Sequence, residues 1–180
     1  MRILAENTIA IAIDYQEKLI PAIHDNAEVV RNAKILLAGL EALQVPVIAS
    51  RQYPKGLGDT VAEIRKVTAG ATVMDKTAFS CFGDDAIKAA LEQSGRKTVI
   101  LCGVEAHVCV LQTAVDLVEA GYTVVYVADC TGSRKASDKK YGLKRVMQEG
   151  ALTVTYEQIL FELTGGAGAP AFKAISRMVK

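Results

Sequence analysis

Apolar and polar positions along the chain follow two alternating regimes. Short β-branched runs, Thr8–Ile13, Val45–Ser50, Ala71–Asp75, Thr98–Gly103, Tyr122–Ala128 and Leu152–Thr155, are separated by longer segments of helical period. Within Asp25–Leu43, the residues Val29, Val30, Ala33, Leu36, Leu37 and Leu40 mark one buried helix face. Further helices are predicted over Asp84–Gln93, His107–Ala120, Ser137–Gln148 and from Ala171 onward. Strands alternating with helices are the signature of a parallel sheet with crossover connections. Runs such as Ile9–Ile13 and Val124–Val127 are continuously apolar, as strands are when helices cover both faces. The expectation is an α/β fold: a three-layer α/β/α sandwich with a mostly parallel, six-stranded, Rossmann-like sheet, in a single domain over 1–180.

Composition narrows the partners. The 180 residues are 51% hydrophobic, enough for one core, and Lys+Arg 21 against Asp+Glu 20 leaves a net charge of +1. No global field gathers nucleic acid or an anionic membrane, so a small-molecule substrate is expected and neither nucleic acid nor membrane is. The apolar run Thr8–Ile13 is too short for a signal-peptide core or a spanning helix, which points to a cytoplasmic protein. Cys81, Cys102, Cys109 and Cys130 form no C-x-x-C pair and are expected to be free thiols.

In parallel sheets, ligands sit outside the carboxyl ends of the strands. The first strand ends in Asp14, the third runs into Lys76, and the fourth ends in Gly103 shortly before Cys109. Each has a plain structural reading, as an N-cap, a solvated cation and a packed thiol. Together they suit one chemistry. A thiol at a helix N-terminus beside an ammonium is expected to have a lowered pKa, and a carboxylate can take its proton and return it to a leaving amine.

These residues carry a resemblance to the isochorismatase-like cysteine hydrolase superfamily that covers nearly the whole chain. Ile11-Ala-Ile-Asp14-Tyr-Gln16 resembles its acid motif, Asp75-Lys76-Thr-Ala-Phe79 its lysine motif, and Gly103-Val-Glu-Ala-His-Val-Cys109 its nucleophile motif. The resemblance implies a catalytic triad of Asp14, Lys76 and Cys109. It also implies a cis peptide between Val104 and Glu105, with an oxyanion hole from the backbone N–H groups of Glu105 and Cys109. Nicotinamidases of similar fold carry a metal site with histidines after the second strand, but Ser50–Gly58 has none, and the whole chain has only His24 and His107. No metal and no cofactor are therefore expected. Isochorismatases often have Gly where this chain has Cys109, so the retained thiol points to amide or related acyl chemistry. The chain is most similar to isochorismatase-domain-containing proteins of uncertain substrate, which suggests a homo-oligomer.

Gln16, Tyr53, Phe79, Phe82 and His107 are candidate pocket residues, the aromatics as an apolar wall. Their alternative is core packing, and His107, two residues before Cys109, is spaced for orientation or subunit contact rather than a Cys-His dyad. Arg134, Lys135, Lys139, Lys140, Lys144 and Arg145 read as a solvated helix face, and Thr164–Pro170 as a plain loop. The expected function is metal-independent hydrolysis of a C–N bond in a small amide-like substrate through a thioester. Its rivals are hydrolysis of a different bond and a binding or scaffolding module without turnover. A flavodoxin-like redox protein would need a glycine loop where Asp14-Tyr-Gln-Glu-Lys18 stands.

Overall fold

The computed structural model describes residues 1–180. Its strands are β1 (Thr8–Ile13), β2 (Val47–Gln52), β3 (Thr72–Lys76), β4 (Thr98–Val104), β5 (Thr123–Gly132) and β6 (Leu152–Val154). They form one sheet in the order β3-β2-β1-β4-β5-β6, with every neighbouring pair parallel. The helices are α1 (Asn26–Ala42), α2 (Pro54–Leu57), α3 (Ala62–Val67), α4 (Asp85–Gln93), α5 (Cys109–Glu119), α6 (Ala136–Gln148), α7 (Tyr156–Thr164) and α8 (Phe172–Met178).

Side-chain alternation along the strands divides the core in two. Ala10 and Ala12 of β1 pack with α1, α3, α7 and α8, whereas Ile9, Ile11 and Ile13 pack with α4, α5 and α6. Every residue of β1 and β4 is buried, which accounts for their unbroken apolar runs. The expected three-layer sandwich is therefore present, with its sheet parallel throughout.

The differences from the sequence pattern have local causes. β2 begins at Val47 because Pro46 has no N–H to give, and it extends to Gln52, whose N–H donates to Gln16 Oε1 at 2.7 Å. β5 continues to Gly132 past an irregularity opposite Leu101 and Gly103, with Thr131 and Gly132 paired to Gly103 and Val104. The short helices α2 and α3 were not expected, since they show little of the helical period. α7 opens on a capping box between Thr155 and Gln158. No helix is long and apolar enough to cross a membrane.

The chain leaves β1 toward β2 and β3 on one side and returns through β4 to β6 on the other. The carboxyl ends of β1 and β4 thus flank the point where strand order reverses, the usual place for a ligand crevice. The two strands approach closely there. A Cβ on Gly103, whose φ is +151°, would lie 2.4 Å from the Ile13 carbonyl oxygen.

Candidate active site

Asp14 follows β1 directly and turns the chain with a φ of 55°, an uncommon conformation for a side-chain-bearing residue. Its carboxylate is wholly buried and accepts two hydrogen bonds, from Lys76 Nζ to Oδ2 at 2.8 Å and from Ser50 Oγ to Oδ1 at 2.7 Å. Lys76 closes β3 two strands away. Its ammonium also donates to Gln52 Oε1 at 2.7 Å, to the Phe79 carbonyl at 3.0 Å and to the Ala78 carbonyl at 3.2 Å. The pair is excluded from solvent and fully supplied with partners, the condition under which buried charges are tolerated.

Cys109 is the first residue of α5 and is 5% exposed. Burial and the Asp14 carboxylate, by its charge and by hydrogen bonding, push its thiol up to about 12, against a smaller lowering by Lys76. This corrects the expectation of a lowered pKa, because desolvation and the neighbouring anion outweigh the ammonium. The resting group is a thiol with a carboxylate as its neighbour.

Every peptide bond is trans, so the cis bond implied between Val104 and Glu105 is absent. The trans turn is closed by its own hydrogen bonds. Ala106 N–H donates to the Gly132 carbonyl at 2.8 Å, and the Glu105 carbonyl accepts from Val108 N–H at 3.0 Å and Val110 N–H at 3.3 Å. The N–H groups of Glu105 and Cys109 have no acceptor within the chain.

The five expected pocket residues separate. Tyr53 and Phe79 are 55% and 54% exposed at the carboxyl edge, where Tyr53 N–H donates to the Lys76 carbonyl. Beside them a cavity of about 350 Å³ is bordered by Tyr53, Lys55, Lys76, Thr77 and Asp84, without Cys109. Phe82 instead packs edge-on against Tyr122, which precedes β5 at the opposite end of the sheet, so it serves the core. Gln16 is buried and its amide is committed to the Gln52 and Gly58 carbonyls and to Gln52 N–H, pinning the segment after β2. The His107 ring lies 3.0 Å from Ser133 Oγ and is turned toward α6 rather than paired with Cys109.

Ser50, Gln52 and Thr113 complete the setting and were not singled out from the sequence. Ser50 also accepts from Cys81 Sγ at 3.5 Å, and Thr113 Oγ1 links Cys81 N–H to the Cys109 carbonyl at 2.9 and 2.7 Å. Ser50 and Gln52 carried a usable signal, since both stand at a strand end beside the residues already chosen.

The isochorismatase domain model matches residues 8–158. The chain belongs to the isochorismatase family. Isochorismatase domain-containing protein 1 of Salmo salar is 40% identical over 178 residues, covering 99% of this chain but only 62% of its own length. Among solved structures, the MAR1 ribonuclease of Caenorhabditis elegans superposes with a TM-score of 0.94 at 36% identity, covering 99% of this chain and 92% of that one. The YcaC gene product of Escherichia coli, described as an octameric hydrolase of unknown specificity, shares the fold with a TM-score of 0.92 at 20% identity. It covers 99% of this chain and 90% of its own. In this isochorismatase-family chain, Asp14, Lys76 and Cys109 lie on the shared carboxyl edge of the sheet.

Proposed function

We propose that the protein is a metal-independent cysteine hydrolase acting on a C–N bond of a small amide-like substrate. The observation that carries this reading is the buried Lys76–Asp14 pair, at 2.8 Å, beside the thiol that opens α5. The Cys109 sulfur attacks the carbonyl carbon while Asp14 takes the thiol proton. The Glu105 and Cys109 N–H groups, which lack acceptors within the chain, stabilise the oxyanion. Collapse breaks the C–N bond, the amine leaves with the proton from Asp14, and a thioester remains on Cys109. Asp14 then deprotonates a water that attacks the thioester, and the acid and the thiol are released. Lys76, bonded to Asp14 Oδ2 at 2.8 Å, orients the carboxylate that carries the proton. A protonated resting thiol fits this sequence, because the proton moves as the S–C bond forms rather than beforehand.

The name ribonuclease belongs to the C. elegans relative. A nucleophile 5% exposed favours a small substrate over a polynucleotide. We assign the exposed Tyr53 and Phe79 to the substrate mouth or to a contact between copies. Ammonia release from a panel of small amides, with Cys109→Ala as control, tests the function. Release by the natural protein alone supports it, and equal release by both excludes Cys109 as nucleophile.

A further inference from the structure

The Glu105 side chain has no part in the chemistry above, yet it is among the few buried carboxylates, 8% exposed. Its Oε1 forms an ion pair with Arg134, 2.7 Å from Nε. Its Oε2 is buried without a hydrogen bond, 3.5 Å from His107 Nδ1. A buried carboxylate oxygen left unpaired is costly, so its retention calls for a reason. Arg134 lies two residues beyond β5 and its side chain is 61% exposed. Around the pair, the same turn is held at three further points. Ala106 N–H is bonded to Gly132, His107 to Ser133, and the His107 backbone sits against Gly142 of α6, where a Cβ would lie 3.0 Å from His107 Cα.

We infer that the Glu105 carboxylate, held by Arg134, is a positioning residue that fixes the turn presenting the Glu105 and Cys109 N–H groups to the oxyanion. The inference rests on Cys109 being the acylated nucleophile. It assigns a role to a side chain whose charge, taken alone, opposes an oxyanion. Two accounts therefore predict different signs. If the ion pair is a clamp, neutralising either partner loosens the turn and slows acylation. If only charge matters, removing Glu105 speeds acylation and removing Arg134 slows it.

The experiment compares Glu105→Gln and the exposed Arg134→Gln with the natural protein in two reactions at Cys109. Acylation by p-nitrophenyl acetate passes through an oxyanion, whereas alkylation by iodoacetamide does not. The clamp predicts acylation at least tenfold slower in both variants, with alkylation within about twofold of the natural rate. Faster acylation in Glu105→Gln, equal slowing of both reactions, or no change in either overturns the inference. Should Glu105→Gln not fold, Glu105→Asp decides: it keeps the charge but draws it back from Arg134, so the clamp predicts slower acylation with alkylation unchanged, and unslowed acylation overturns the inference. If the natural protein is not acylated on Cys109 at all, the nucleophile assignment fails first and the inference falls with it.

Discussion

Asp14, Lys76 and Cys109 stand 62 and 33 residues apart in sequence, and each was legible because it follows a strand at its carboxyl end. What the sequence did not carry was their environment. The ammonium was expected to lower the Cys109 thiol, but burial and Asp14 raise it to about 12. Burial likewise pushes the thiols of Cys81 and Cys102 to about 11 and about 12, from an ordinary value of 9.0. Such groups stay protonated in the folded chain and ionise near their ordinary value in the unfolded one. Their contribution to stability is therefore full below about pH 9 and is lost as pH rises toward 12, at up to roughly 1.4 kcal/mol per pH unit for each thiol. Melting temperatures measured by calorimetry should change little from this source between pH 7 and 8.5 and fall steeply above pH 9. The alkylation rate of Cys109 should climb through the same range, and a plateau below pH 8 would show a thiolate at rest.

At the level of elements, strands and long helices followed the hydrophobic pattern because packing on two helical layers demands it. β1 matched its expected bounds, whereas β2 shifted past Pro46 and gained Arg51 and Gln52 by pairing with Asp75 and Lys76 of β3, contacts across 24 residues that no local pattern encodes. Phe82 shows the same limit. It was grouped with Tyr53 and Phe79 as an apolar pocket wall, and the direction of its side chain took it to Tyr122. The β1–β4 junction is where element packing bears on the site. Gly103→Ala places a methyl group 2.4 Å from the Ile13 carbonyl oxygen at a φ of +151°, one residue from Asp14. A loss of about 2–4 kcal/mol in urea unfolding is expected, together with slower acylation of Cys109. Unchanged stability would mean that the two strands separate there without cost.

For the whole molecule, the sheet edge at β3 is the feature least explained by a lone chain. Val73 is 52% exposed on that edge strand, and Tyr53 and Phe79 stand exposed near its carboxyl end. Edge strands of this kind are usually covered. Light scattering is expected to give a mass of at least two 19.2 kDa chains, and Val73→Lys to lower it. A monomer at micromolar concentration would leave the homo-oligomer without support. Of the expected solvated face, Lys140, Lys144 and Arg145 are exposed on α6, whereas Arg134 and Lys135 precede the helix and Arg134 pairs with Glu105; no long-range field accompanies them at a net charge of +1. All of these scales converge on one sulfur atom. The most direct measurement is mass spectrometry of peptides from protein quenched during reaction with p-nitrophenyl acetate. An acetyl group on Cys109, absent from Cys109→Ala, is the predicted result. Acetylation confined to other residues, or undiminished acyl transfer by Cys109→Ala, would contradict it.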